Sequence, residues 1–337
     1  MTLRAAVIGC GAIGAGGGEP PHADVGVYTH AGAYVACPDT ELVAVADTDP
    51  GLAREAAARW GAADAYRSAD ELLDGARPEL VSICTPDPTH AEVLERIVTT
   101  PGVRGVLAEK PLADDAAKAA ALTRLARDRG VVLSVNYSRR FAPAIANLAD
   151  AIKAGEVGEL QHVHGAYVKG LRHNGTHWLD LLRMLAGDPV GARGWDRLNE
   201  GGADPSLDAE LLLDGGAGAR LAALDVREFT AFEFELTGTA GRVRLASAGH
   251  RIERWVVGPD ERYPGYRVLV ANHTEDGVMR DVTLHAVADL VRSVIVGGEP
   301  ACSGRDATSA LLIAEAITAS AASEGRMVAI GPLGLDG

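Results

Sequence analysis

Arg4-Ala5-Ala6-Val7-Ile8-Gly9-Cys10-Gly11-Ala12-Ile13-Gly14 reads as an apolar strand running straight into a GxGxxG turn. Glycine at this spacing lets the chain turn sharply from strand to helix. The missing side chains let backbone N–H groups and the helix start approach a pyrophosphate. Many glycine turns match the pattern, so its weight comes from standing directly behind the apolar run of residues 5–8.

The following sequence repeats the theme. Residues 4–8, 42–46, 80–84, 105–108 and 131–135 are each rich in Val, Ile, Leu or Ala, and the spacing predicts strands. Between them, residues 50–60, 90–98 and 114–129 have the apolar spacing of helices with one buried face. Strand and helix in alternation predict a doubly wound parallel α/β sheet over residues 1–140, a Rossmann dinucleotide-binding domain. Asp47 ends the second predicted strand, where a carboxylate can accept both ribose hydroxyls of an adenosine. It would repel a 2′-phosphate, and no Arg follows closely, so the expected cofactor is NAD rather than NADP. Helix capping by Asp47 or Asp49 is the competing reading. The unusual gap between Gly14 and Asp47 is filled by residues 15–28, a Gly-, Pro- and His-containing insertion.

From about Gly158 strands follow one another. Phe232-Glu233-Phe234-Glu235-Leu236 and Arg242-Val243-Arg244-Leu245 alternate apolar with charged residues, and Gly238-Thr239-Ala240-Gly241 between them reads as a hairpin turn. Residues 141–337 are therefore expected to form a second α/β domain on a mostly antiparallel open sheet, with helices over 283–296 and 305–323 packing back toward the first.

The chain has 337 residues, with 32 Lys and Arg against 46 Asp and Glu and a net charge of −14, which argues against a nucleic-acid partner. No apolar run approaches the ~20 residues of a membrane helix. The start turns to glycine too early for a signal peptide, which predicts a cytoplasmic protein. Cys10, Cys37, Cys84 and Cys302 lie far apart without a CxxC pair, so they read as buried apolar residues, not as a disulfide framework or zinc ribbon.

Three further segments each follow a predicted parallel strand, where open α/β sheets bind ligands. They are Thr85-Pro86-Asp87-Pro88-Thr89-His90, Glu109-Lys110-Pro111 and Asn136-Tyr137-Ser138-Arg139-Arg140-Phe141. In this order, behind the GxGxxG start, the chain resembles the glucose–fructose oxidoreductase / inositol dehydrogenase / MocA (Gfo/Idh/MocA) family along nearly its whole length. The resemblance implies a nicotinamide cofactor held between two domains, and a homodimer or homotetramer assembled through the open sheet. It implies cofactor contacts at Gly9, Gly11, Ala12, Ile13, Gly14, Thr85, Pro86 and His90, with Glu109 and Lys110 beside the nicotinamide. A lysine ammonium at a strand end can donate to the oxygen whose charge changes as hydride moves. A surface lysine paired with Glu109 is the plainer alternative.

The second cluster is Lys169-Gly170-Leu171-Arg172-His173-Asn174-Gly175-Thr176-His177-Trp178-Leu179-Asp180. His173 and His177 are four apart and share a face if helical. By the resemblance, His177 is the general acid/base and Asp180 the later carboxylate, while His173 stands where the family has Asp and brings no fixed negative charge. Lys110, His177 and His173 are the catalytic candidates. Arg140, Tyr167, Lys169, Arg172 and Asn174 are candidate donors to a polyhydroxylated substrate. His30, in Tyr28-Thr29-His30-Ala31, is expected to begin a helix near the cofactor loop and to stand close to the cofactor phosphates. Core or capping histidines, and a His173/His177/Asp180 metal site, are the competing readings.

The expected reaction is hydride transfer between NAD(P) and a secondary alcohol or ketone of a sugar, cyclitol or nucleotide-linked sugar. A non-catalytic NAD-binding regulator, an imine reductase and a metal-dependent hydrolase are the alternatives.

Overall fold

The structure is a computed structural model and describes residues 2–16 and 23–331. Among these the chain divides into two compact units, residues 2–141 with 280–309, and residues 142–279 with 310–331. The first unit thus takes back a later stretch of chain that lies beyond residue 140.

The first unit holds β1 (Leu3–Ile8), α1 (His30–Ala36), β2 (Thr40–Ala46), α2 (Pro50–Trp60), β3 (Asp64–Tyr66) and α3 (Ala69–Ala76). It continues through β4 (Leu80–Ile83), α4 (His90–Val98), β5 (Gly105–Ala108), α5 (Ala116–Asp128) and β6 (Val132–Val135). The six strands are parallel in the order β3-β2-β1-β4-β5-β6. Burial follows from that order. Every residue of β4 and β5 is buried, as strands covered by helices on both faces must be, which is why they read as unbroken apolar runs. The edge strand β3, Asp64-Ala65-Tyr66, lacks such a run and is not foreshadowed by periodicity, whereas α3, outside the expected helices, carries a helical apolar spacing at Ala69, Leu72, Leu73 and Ala76.

The helix expected directly after the glycine turn is displaced. Residues 11–15 make a single turn, with Ala15 N–H donating to Gly11 C=O at 3.0 Å, and the regular helix starts only at His30. The two pieces are nonetheless spliced. His30 N–H donates to Ile13 C=O at 3.0 Å and Ala31 N–H to Gly14 C=O at 2.9 Å, so α1 continues from the glycine turn across the insertion. Thr29 caps the new start by accepting from Gly32 N–H at 3.1 Å. Residues 17–22 of the insertion lie outside the described residues.

The second unit begins with α6 (Pro143–Lys153) and β7 (Leu160–Tyr167), followed by α7 (Thr176–Ala186), β8 (Pro189–Trp195), β9 (Asp208–Leu213) and β10 (Gly218–Ala223). Then come β11 (Phe232–Gly238), β12 (Gly241–Ala246), β13 (Arg251–Pro259) and β14 (Arg267–Asp276). After α8 (Val282–Val296), which belongs to the first unit, the chain ends in α9 (Gly304–Ala321) and β15 (Val328–Ala329), and the boundary between units falls inside α9. The nine strands run β14-β13-β12-β11-β7-β10-β9-β8-β15. All pairs are antiparallel except β7 with β10. The β11–β12 hairpin pairs Leu236 with Val243, and its alternate residues are buried as their alternation predicts. The buried face carries α7. Trp178 packs on Phe234 and its indole N–H donates to Glu233 C=O at 3.1 Å. Only glycine fits at position 165 beneath this ring, because a Cβ there would overlap both the indole nitrogen and the Glu233 carbonyl oxygen.

Candidate active site

The glycines of the first turn have separate duties. Gly9 has φ +97°, and a Cβ there would run into the Cys84 carbonyl, while one at Gly14 would run into the Gly9 carbonyl. Gly11 has open space in front of it. Strand, turn and helix are therefore drawn tightly together on one side and left clear on the other, where Gly11, Ala12 and Ile13 are exposed. Asp47 accepts from Cys10 N–H at 2.8 Å through Oδ2 and from Asp49 N–H at 2.9 Å through Oδ1. Asp49, not Asp47, caps α2, accepting from Gly51 N–H at 2.7 Å.

A cavity of about 650 Å³ opens beside the turn, lined by Gly11, Asp47, Leu52, Arg67, Thr85 and Pro86 among others. That volume is on the scale of ligand pockets. An apolar wall, a carboxylate with lone pairs to spare and an unobstructed glycine suit the adenosine and pyrophosphate of a dinucleotide. Arg67 is the residue that sequence reasoning missed here. It stands twenty positions beyond Asp47, on the loop after β3, and only the parallel pairing of β2 with β3 brings it to this cavity.

Glu109 and Lys110 follow β5, both half-buried. Glu109 Oε1 lies 3.0 Å from His30 Nε2 and accepts from Asn136 Nδ2 at 2.7 Å. Its Oε2 accepts from the Lys110 backbone N–H at 3.3 Å. Burial alone would push this carboxyl up, but bonding and charge from His30, the Asn136 bond and the Lys110 ammonium together hold it below the usual range. His30 is fully buried, with Nδ1 2.8 Å from Ser82 Oγ, so the reading that sets it against cofactor phosphates is corrected. Its ring faces the Lys110 strand end.

Two other expected contacts are turned inward. His90 is buried between the Thr85 and Pro111 carbonyl oxygens, each 2.7 Å from a ring nitrogen, so it ties those two loops together and presents no polar atom to a ligand. Arg140 pairs with Asp306 at 3.1 Å, its side chain largely buried, and donates to Ala301 C=O. The two thiols beside this site, Cys10 and Cys84, are held protonated by their surroundings. Burial, with Asp47 adding to it, pushes Cys10 up to about 12, and burial also raises Cys84.

In the second unit the motif from Lys169 is not uniformly α-helical. Leu171–Gly175 forms a π-turn, Gly175 N–H donating to Gly170 C=O at 3.0 Å, before α7 starts at Thr176. The α-helical relation between His173 and His177 is therefore drawn through a wider turn. His173 is exposed, His177 half-buried and Asp180 buried. Asp204, from the loop before β9, clamps the turn. Its carboxylate accepts from Arg172 N–H at 2.8 Å and His173 N–H at 2.9 Å, and Arg172 Nε stands 3.6 Å away. The spacing offers no signal for Asp204, which lies over thirty residues from the turn it holds.

Tyr167 departs from expectation. It is fully buried, donating to Leu207 C=O at 3.0 Å and accepting from Leu207 N–H at 2.8 Å, so it is a strut of the core and does not line a substrate. Lys169 is exposed, with φ +68°, and Asn174 donates to Val168 C=O at 2.8 Å. Among the described residues no set of three or more His, Cys, Asp or Glu side chains is placed to hold a metal ion, and no helix is long and apolar enough to cross a membrane.

Residues 3–137 match the family model described as the oxidoreductase family with an NAD-binding Rossmann fold. The chain is 27% identical over 369 residues to inositol 2-dehydrogenase of Rhizobium meliloti, covering 98% of this chain and 100% of that protein. It is 29% identical over 344 residues to dTDP-3,4-didehydro-2,6-dideoxy-alpha-D-glucose 3-reductase of Streptomyces violaceoruber, covering 94% of each. Levoglucosan dehydrogenase in complex with NADH and L-sorbose superposes with a TM-score of 0.81 at 21% identity, over 98% of this chain and 100% of that one, which shows a shared fold. Residues 3–137 thus match the NAD-binding Rossmann domain of the Gfo/Idh/MocA oxidoreductase family, and the chain as a whole is similar to inositol and deoxysugar relatives over nearly all of its length.

Proposed function

We propose that the protein transfers hydride between NAD and a secondary alcohol or ketone carbon of a sugar, cyclitol or nucleotide-linked sugar. The observation that carries the reading is the arrangement of the first unit's sheet. A cavity of about 650 Å³ lined by the glycine turn and Asp47 stands on the same strand-end edge as the half-buried Glu109 and Lys110. The substrates named for the inositol and deoxysugar relatives support the polyol class.

Bound nicotinamide supplies the hydride donor or acceptor. On the protein's side, Gly9, Gly11, Ala12, Ile13 and Gly14 admit the pyrophosphate, Asp47 takes ribose hydroxyls, and Thr85 and Pro86 wall the cavity. Lys110 donates to the substrate oxygen as its charge changes. His177 exchanges the hydroxyl proton, and His173, Lys169, Arg172 and Asn174 meet other polar groups. His173 brings no fixed negative charge, but Asp204 keeps a carboxylate at this same turn, one supported on two N–H groups. In this reading the first unit serves the cofactor, the second the substrate and assembly, and the protein works in the cytoplasm.

The test is NADH formation at 340 nm over a panel of polyols, cyclitols and nucleotide sugars, beside calorimetric NAD binding. Lys110→Ala and His177→Ala are each expected to lower kcat by about 10²–10⁴, and Asp47→Ala to weaken NAD binding at least about tenfold. NAD binding without turnover on any of these compounds would support the regulator instead. Normal turnover in both alanine variants would remove the mechanism.

A further inference from the structure

A file of buried side chains ends on the Glu109 carboxylate, whose Oε2 accepts from the Lys110 backbone N–H at 3.3 Å. Tyr34, Ser82 and His30 are all completely enclosed. Ser82 Oγ lies 2.9 Å from the Tyr34 hydroxyl and 2.8 Å from His30 Nδ1, and His30 Nε2 lies 3.0 Å from Glu109 Oε1. Asn136 Nδ2 donates to that same carboxylate oxygen. We infer that His30 is a positioning residue for Lys110, fixing the Glu109 carboxylate as the counter-charge of its ammonium.

The argument starts from cost. A carboxylate withdrawn from water protonates unless donors and positive charge offset the loss of hydration. Here the offset comes from three directions: His30 on α1, Asn136 after β6, and Lys110 itself. The other titratable groups facing this pocket are Cys84 after β4, with Cys10 behind it, and Tyr34 behind Ser82. Burial raises all three, so they stay neutral and offer the carboxylate no charge; the imidazole acts on it by position, through the contact between Nε2 and Glu109 Oε1. Ser82 holds the ring from its far side and keeps Nε2 on the carboxylate. The backbone of His30 meanwhile donates to Ile13 in the glycine turn, so one residue braces both that turn and the strand end carrying Lys110. The inference rests on Lys110 being the group presented to the reacting oxygen, but its test does not require turnover.

Lys110, Lys118, Lys153 and Lys169 are the only lysines in the chain. Reductive ¹³C-methylation of the full-length protein thus gives a small set of NMR signals, and the Lys110 signal is identified as the one lost in Lys110→Arg. Removing a nearby negative charge favours the neutral amine, so Glu109→Gln is expected to lower the Lys110 midpoint by about one pH unit. His30→Gln should lower it in the same sense, and the double variant should move no further than Glu109→Gln alone. A His30→Gln midpoint equal to the parent's, with Glu109→Gln shifted, reduces His30 to a packing role and overturns the inference. So does an unshifted Glu109→Gln. If His30→Gln does not fold, Ser82→Ala, which frees the far side of the ring, must lower the midpoint; an unchanged value overturns the inference equally. Failure of every candidate substrate would leave these titrations intact, so the two readings fall separately.

Discussion

At Tyr167 one phenol oxygen serves both backbone groups of Leu207, donating at 3.0 Å and accepting at 2.8 Å in a fully buried setting. Tyr167→Phe keeps the ring and strands a buried N–H and C=O, a loss of about 1–3 kcal/mol. Urea unfolding should show that loss while KM for the substrate stays at the parent value; a raised KM with unchanged stability would return Tyr167 to the substrate lining. The residue illustrates which side chains sequence can place. The tight turn at Gly9 and Gly14 and the strand-end place of Asp47 are legible because they depend on neighbours a few positions away or on a strand end. Tyr167, Arg140 and His90 carry donors that suit a ligand equally well, and only the fold reveals that Leu207, Asp306 and two loop carbonyls hold them. Arg67 and Asp204 were invisible for the converse reason, since each reaches its site through pairing or looping across many residues.

Elements were legible where burial writes a pattern into them. The central parallel strands show as apolar runs and the β11–β12 hairpin as alternation, whereas the exposed three-residue β3 shows nothing. The splice that joins α1 to the glycine turn leaves no periodic mark either, because its bonds are between backbone groups on either side of an insertion. The π-turn before α7 is the element whose integrity bears most on chemistry. Its first N–H groups have no partner within the helix, and Asp204 accepts two of them. Asp204→Ala is expected to destabilise the second unit by about 1–3 kcal/mol, and to lower kcat more than it raises KM because His173 and His177 lose their setting. An intact kcat would show that the turn holds without the clamp. Strand β7 carries a different signature. His162, stacked on His164 with ring centroids 5.9 Å apart, is held below its ordinary value by burial and by the neighbouring positive charge. The unfolded chain therefore takes up this proton first as pH falls. Stability contributed by neutral His162 is complete above about pH 6.5 and declines below it, toward the lowered folded value. Urea midpoints at pH 7.5 and 5 should differ less in His162→Asn than in the parent, and an equal difference would rule this residue out as the source.

For the whole molecule, the two ends of the nine-stranded sheet differ in a way that bears on assembly. At one end β15 is two residues long, the kind of short edge that resists further pairing. At the other, β14 runs for ten residues with, among the described residues, a partner strand on one side only, and contains neither Lys nor Pro. Val268 and Val270 lie two apart on one of its faces, Val270 opposite Val256, and all three are exposed. A long edge bearing an apolar stripe invites pairing with another chain, and a stable interface has to bury about 1,000 Å² or more. A second copy of this chain is the occupant we expect. Light scattering at micromolar concentration should then return two or four times 35.0 kDa. Val256→Lys combined with Val270→Lys places charge across the stripe and should shift the mass to that of a single chain, while NAD affinity, set by the Gly9–Gly14 turn and Asp47, is retained. A parent protein of single-chain mass would rule out the assembly. A double variant that keeps the parent's higher mass would move the interface to another face of the sheet.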